Sequence, residues 1–380
     1  MATPGEKTWV EINSAALRSN IEALRSILNP ESKFCATVKA NAYGHDIETI
    51  VRLAKIEGVE HFAVDSVDEA ITARKVAPEA QIFILGHTVP EHFEDIVTHN
   101  LIQTIYDEQS LNQLADIASR MQSRALANIK IETGTNRQGI REFKLPDLLR
   151  AARRHERFVQ IVGVSSHFCD AENVEDQNLL MSQLANFDRA LNTIHATDFS
   201  PPYIHIACSA AAMLEPKSHF TMARYGIAMY GLWSSKALEK KMKISGKVDL
   251  SPIMSLKTRI AQIKDIPAGD YVGYSRSFRS DRPIRIAVLP IGYYDGFRRA
   301  YQGADVLIQG QRCKNIGNIC MNMFMVDVSN VPRVNPGDTV TLLGRDGMHQ
   351  ITADELGDRT GTINYEVVTA IGAHLPRIVI

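Results

Sequence analysis

The sequence lacks the long apolar run, roughly 18 residues, that a membrane-spanning helix requires. Its opening, "MATPGEKTWVEINSAALRSN", has no basic stretch followed by an apolar core of the kind that marks a secretory signal. The expectation is a soluble cytoplasmic protein with no membrane partner. Excess charge is also missing: 42 Lys and Arg stand against 43 Asp and Glu, a net charge of −1. No basic run is long enough to track a phosphate backbone, so nucleic acid is excluded as a partner and a small-molecule substrate fits better. The five cysteines, Cys35, Cys169, Cys208, Cys313 and Cys320, form no CxxC pair and no zinc-type spacing. They read as reduced thiols, and no metal is expected.

The chain does have a regular alternation. From about residue 33 to 230, eight short apolar or β-branched runs are separated by amphipathic helical patterns: "KFCATVKA", "HFAVD", "QIFILG", "LIQTI", "ALANIKIET", "FVQIVGVSSHF", "YIHIACS" and "MARYGIAMYG". Alternating β and α units imply a parallel sheet, and eight over about 200 residues point to a closed (β/α)8 barrel. Ser14 is placed to cap one helix, and Ser66 with Glu69 has the spacing of a capping box. After about residue 245 the pattern becomes β-rich, with glycine and proline turns as in "DVLIQGQRCKNIGN" and "NVPRVNPGDTVTLLG". The fold expected is α/β: an N-terminal barrel over 13–244, a mainly β domain over 245–380, and residues 1–12 joining the latter as a strand.

On that layout several side chains acquire candidate roles. Lys39, after the first barrel strand in "ATVKANAYGHD", lies at the barrel face where active sites gather. Partial desolvation there would lower its pKa and free the amine as a nucleophile or base, able to hold an aldehyde cofactor as a Schiff base. The bland alternative is a solvated strand-end lysine. Ser209 after strand seven and Gly226 and Ile227 around strand eight would supply phosphate-binding donors, although a glycine beside a tyrosine is more often packing. Tyr274 in "YVGYSRS" would need a cationic neighbour to act on protons; most tyrosines simply pack. His167 ends strand six at the catalytic face, where a lone histidine is more often only hydrogen-bonded.

Taken together, "VKANAYGH", "RYGIAMYGL", "LPIGYYDG", "NICM" and "INYE" resemble the alanine racemases, fold-type III pyridoxal-phosphate enzymes, in order over nearly the whole chain. The resemblance implies a homodimer whose active sites are each completed by the partner's β domain, racemising L- and D-alanine and supplying D-alanine for peptidoglycan. It assigns pyridoxal 5'-phosphate to Lys39. Tyr43, Tyr365, Ser209, Gly226 and Ile227 would bind its phosphate, and Arg224 would face its ring nitrogen. Arg137 matches the arginine near the substrate carboxylate, and Met321 a substrate-contacting residue delivered in trans. Lys39 would serve the D-face of Cα and Tyr274, also in trans, the L-face; His167 would bridge Tyr274 to Arg224. Lys130 matches a lysine that is carbamylated in some members.

Four positions depart from the family pattern: Asp46 in "GHD", Cys208 in "ACSA", Asn322 in "CMN", and Ser275 after Tyr274. None is one of the two bases, so they bear on substrate preference and keep serine or broad-specificity racemisation open. A pyridoxal-phosphate-dependent decarboxylase would need a cysteine-centred acid site, absent around Cys313 and Cys320. A non-catalytic pyridoxal-phosphate-binding protein would resemble the barrel alone, and the β domain argues against it.

Overall fold

The computed structural model describes residues 5–380, and the eight apolar runs form one parallel sheet. With β1 at Thr8–Ile12, the sheet strands are β2 (Lys33–Thr37), β3 (His61–Val64), β4 (Gln81–Ile84), β5 (Ile102–Ile105), β6 (Ala125–Lys130), β7 (Val159–Ser165), β8 (Tyr203–His205) and β9 (Met222–Tyr225). Their order is β8-β7-β6-β5-β4-β3-β2-β9. Closure comes from the Thr221 amide donating to the Ile204 carbonyl (3.2 Å) and the Arg224 amide to the Ala207 carbonyl (3.2 Å). This is the nearly closed barrel anticipated from the alternation.

β3 and β5 are buried at every position, as strands covered on both sides are, and the polar residues they contain, His61 in β3 and Gln103 and Thr104 in β5, are buried with them. Cys35, Ala63, Phe83, Ile102, Val162 and Met222 pack into one core cluster. The helices bury one face each; Leu145–Arg154 hides Leu145, Leu148, Leu149, Ala151 and Ala152 and turns its arginines outward. Asp107 caps Glu108–Arg120 by accepting from the Ser110 amide at 2.7 Å, the kind of bond worth about 1 kcal/mol.

Two cap expectations change. Ser14 is already helical, and its hydroxyl donates to the Ile380 carbonyl at 2.9 Å. Ser66 does cap Val67–Val76 through the Glu69 amide (3.3 Å), but the Glu69 carboxylate accepts from the amides of Asp65 (2.9 Å) and Asn41 (3.1 Å). A carboxylate that sequence spacing assigned to its own helix end is therefore spent partly on the chain following Lys39.

Contacts divide the chain into two compact units: Ala16–Ala42 with Ile50–Ser251, and the residues up to Ala15 with Tyr43–Thr49 and Pro252–Ile380. Residues 1–4 of the expected N-terminal strand segment lie outside the described residues. In the second unit the strands are β10 (Met254–Arg259), β11 (Gln262–Ile266), β12 (Tyr271–Val272), β13 (Phe278–Arg279), β14 (Ile284–Leu289), β15 (Asp305–Ile308), β16 (Gln311–Ile316), β17 (Phe324–Asp327), β18 (Thr339–Asp346), β19 (His349–Ile351) and β20 (Arg377–Val379). They run β11-β14-β17-β16-β15-β18-β10-β1-β20, with β19 on β18 and β12 paired with β13. β10 buries every second residue, the mark of a sheet with one face in the core. β1 pairs antiparallel with β10 and parallel with β20. Val272, Ile284, Ile286 and Ile316 form a core cluster in this unit.

Candidate active site

Lys39 follows β2 by two residues, and the backbone beyond it is unusual. Ala40, Asn41, Ala42 and Tyr43 all have φ between 51° and 54°, a left-handed turn built without glycine. L-residues pay about 1–2 kcal/mol each for that conformation, so neighbouring structure must hold it. The Glu69 carboxylate on the Asn41 amide (3.1 Å) and the Ala42 amide on the Val38 carbonyl (2.8 Å) do part of this. Strain of this kind concentrates where a side chain must be aimed.

Around the same end of the barrel, Arg224 on β9 is almost fully buried. Its Nη1 donates to His205 Nδ1 (2.5 Å) and the His205 carbonyl (3.0 Å), and its Nη2 to the carbonyls of Ser166 (2.8 Å) and Ile206 (3.2 Å) and to His167 Nδ1 (3.3 Å). Arginine can only donate, so both histidine Nδ1 atoms must accept. The His205 proton then sits on Nε2, which donates to Asn128 Oδ1 at 3.1 Å. Asn128 Nδ2 in turn donates to the Ser165 hydroxyl at 2.8 Å. This buried network fixes both the guanidinium plane and the histidine tautomers.

Positive charge dominates the site. Burial first, then the field of Arg224, holds the His205 and His167 imidazoles well below their usual range; Lys130, Arg137 and Lys39 add to the effect on His167. Lys130, at the end of β6, is likewise pushed well below the ordinary lysine range by burial, with Arg224 and Arg137 adding and only Glu132 opposing. A small cavity is lined by Lys130, Glu132, Arg137, Ser166 and His167. With Arg137 and Lys130 on this lining and Arg224 close enough to act on both Lys130 and His167, the region suits a ligand carrying negative charge. Nearby in chain order, Ser209 opens the helix Ser209–Leu214 and its hydroxyl accepts from the Gly226 amide at 3.0 Å, joining two of the expected phosphate-binding positions. Ile227 follows directly and is buried.

The other expected residues belong to the second unit. The rings of Tyr43 and Tyr365 lie 6.1 Å apart. Gly44, at φ +81°, comes so near the Val368 carbonyl that a Cβ would sit 2.3 Å from the oxygen, and Arg377 Nη2 donates to the Gly44 carbonyl at 2.8 Å. Tyr274 stands 70% exposed, presented by Gly273 at φ +81° and Ser275 and Arg276 at φ 58° and 51°. Its carbonyl accepts from Asn318 Nδ2 at 3.0 Å. Met321, 55% exposed, sits on a backbone cradled by "LPIGYYDG": the Tyr293 amide donates to the Cys320 carbonyl (3.1 Å) and the Tyr294 amide to that of Met321 (3.0 Å).

Comparison with known proteins identifies the family. The chain matches the families "Alanine racemase, N-terminal domain" over residues 12–234 and "Alanine racemase, C-terminal domain" over residues 253–379. The chain belongs to the alanine racemase family. Alanine racemase of Leptospira interrogans serovar Lai is 36% identical over 377 residues, 98% of this chain and 96% of the relative. The solved alanine racemase of Clostridium difficile 630 superposes with a TM-score of 0.94 at 29% identity, covering 100% and 97% of the two chains. That of Bacillus anthracis, solved with bound L-Ala-P, gives a TM-score of 0.93 at 31% identity, covering 100% and 96%.

Alanine racemases are isomerases that depend on pyridoxal phosphate, and the residues here fit that group. The cationic cluster suits an anion, and Arg224 offers a fixed donor that will not surrender its proton. Two parts of the network escaped the sequence. His205 read only as one polar residue in the strand "YIHIACS", and Asn128 as one in "ALANIKIET"; a buried polar residue inside each apolar run was the available signal. Glu69 looked like a capping residue alone.

Proposed function

We propose that this alanine racemase moves the Cα proton with two bases, Lys39 on the D-face and the partner subunit's Tyr274 on the L-face, within a cytoplasmic homodimer. The observation that carries the reading is Arg224, held as a buried cation by five acceptors. A guanidinium with a pKa above about 12 donates a hydrogen bond to a ring nitrogen and keeps its proton. An acid in that place would protonate the ring and favour longer-lived carbanions; arginine favours return of the proton to Cα.

Pyridoxal phosphate, when bound, supplies the conjugated ring that accepts the electron pair left at Cα. Lys39 would hold it through Nζ, with Tyr43, Tyr365, Ser209, Gly226 and Ile227 at its phosphate and Arg224 at the ring nitrogen. Arg137 would take the substrate carboxylate, and Met321 of the partner subunit would line the substrate space. Lys39 Nζ and the Tyr274 hydroxyl then each hold or move a proton on opposite sides of Cα, the simplest way to invert a centre. His167, accepting from Arg224 at Nδ1, has its other nitrogen available to link the network to the phenol.

Supply of the phenol in trans is supported by its exposure. Tyr274 shares its unit with Tyr271, Met321 and Met323, all at least 49% exposed, large side chains of the kind a partner covers. The unpaired cysteines suit a reducing compartment. A role in D-alanine supply for peptidoglycan would appear as growth dependent on added D-alanine after gene loss.

L-Alanine incubated with the cofactor-loaded protein in D2O tests the reading, with circular dichroism and the α-proton signal followed together. Loss of both is expected. Exchange with chirality retained would mean that only one base works. Loss of neither, with turnover of serine instead, would point to Cys208 and Asn322 as having redirected the substrate.

A further inference from the structure

The barrel carries a second void at the opposite end from Lys39. An open cavity of about 350 Å³ lies where β2 and β3 begin, and its lining includes Arg25, Glu31, Lys33, Phe34, Glu60 and His61. Its volume falls within the range of small-molecule pockets, roughly 300–1,000 Å³. Lys39, Arg137 and Arg224 are not among its lining residues.

His61 is the telling residue. It is 6% exposed, lines the cavity, and among the described residues neither ring nitrogen has a hydrogen-bond partner; its ring lies edge-on against Tyr203, with ring centroids 5.4 Å apart. Its ring lines an open cavity, so a ligand there could pair with its nitrogens. Burial, with Lys33 adding, lowers its pKa to about 4, so at neutral pH the imidazole offers one donor and one acceptor.

The charges around it are also uncommitted. Lys33, Glu31 and Glu60 form no ion pair among the described residues. Arg25 lies over the Phe34 ring at 5.5 Å and spends Nη1 on the Glu57 carbonyl at 2.5 Å, leaving its other donors without a recorded acceptor. Phe34 itself is fixed by stacking on Tyr225, with centroids 4.5 Å apart and planes 18° apart. Two cations, two carboxylates and an apolar floor make a lining of zero net charge that still carries both signs. A simple anion would leave the carboxylates opposed to it, and a simple cation the reverse.

We propose that this cavity is a second ligand site for a small amino-acid-like zwitterion, whose carboxylate meets Arg25 and Lys33 and whose ammonium meets Glu31 and Glu60. His61 supplies a neutral hydrogen bond at its base. The site is distinct from the place where alanine reacts, since it lies at the N-terminal ends of the strands whose C-terminal ends carry Lys39 and Arg224.

The test uses L-proline, a zwitterion without a primary amine, as the probe in saturation-transfer NMR with the cofactor-loaded enzyme. Binding should weaken about tenfold or more in His61→Phe, which keeps the ring against Tyr203, and in Lys33→Met. Both variants should racemise alanine like the parent, which also reports that they fold. Proline binding that is equal in parent and variants overturns the proposal, as does no binding to the parent. Acetate binding as tightly as proline at the same residues would also overturn it, since the site would then be one for simple anions.

Discussion

At the scale of residues, the proposed mechanism places opposite demands on Arg224 and Tyr274: the first must keep its proton, and the second must exchange it every turnover. Arg224 is held by five acceptors in a buried network, whereas Tyr274 stands in the open on a strained turn. Tyr274→Phe should keep the yellow cofactor and lose about 10²–10⁴-fold in racemisation, the usual range for a positioned proton-transfer group; near-normal turnover, measured by circular dichroism, would remove the phenol from the mechanism. Lys130 makes a second prediction. Held well below the ordinary lysine range by burial, it gives up its proton more readily than a solvated lysine, and the free amine can attack carbon dioxide, forming a C–N bond and releasing one proton to give a carbamate. Protein equilibrated with ¹³C-bicarbonate should show a carbamate carbon signal that Lys130→Met lacks. The carbamate would place an anion beside Arg224 and Arg137. His61 sets a pH dependence. Its folded pKa of about 4 lies below the ordinary value of 6.5, so as pH falls from 6.5 toward 4 the unfolded chain takes up a proton that the folded chain refuses. Stability from this group is complete above 6.5 and lost as pH drops through that window. Thermal melts of the parent should fall more steeply there than those of His61→Phe.

At the scale of elements, the turn after Lys39 decides most. The string "VKANAYGH" announces a lysine, a tyrosine and a glycine, yet nothing in it says that four L-residues wind left-handed. That conformation exists because Glu69 reaches the Asn41 amide and because Gly44 fits against the Val368 carbonyl. Gly44→Ala would place a Cβ 2.3 Å from that oxygen at a φ of +81°, so both backbone and neighbour must move. A loss of about 2 kcal/mol or more is expected, read as a lower unfolding temperature, with cofactor lost more readily than in the parent. The eight strands, by contrast, were legible without any structure, because strands covered on both faces are rich in apolar and β-branched residues rather than alternating with polar ones. The same criterion hid His205 and Asn128. Each is a single polar residue in such a run, and only the partner on the neighbouring strand turns it from an exception into part of a network.

At the scale of the whole molecule, the question is whether one chain can complete a site. If the partner subunit's Tyr274 is the second base, Lys39→Ala and Tyr274→Phe are each nearly inactive alone. Mixed dimers formed by subunit exchange would own one intact site. Activity should then recover toward about a quarter of the parent level for random equal mixing, half the dimers being mixed and each having one site of two. No recovery, with exchange shown independently by mass spectrometry of labelled chains, would place both bases in one chain.

The sequence by itself determined the kind of protein this is. Periodicity demanded a barrel followed by a β-rich part, since burial on two faces or one leaves different apolar patterns. Short motifs marked the candidate site residues and the family. Tertiary structure alone decided how those residues are tuned. The lowered pKa of Lys130, the tautomer of His205 and the fixed plane of Arg224 depend on burial and on donors and acceptors brought together from residues 128, 166, 167, 205 and 224. Such properties arise from fields and distances through space, which the order of residues along a chain does not specify.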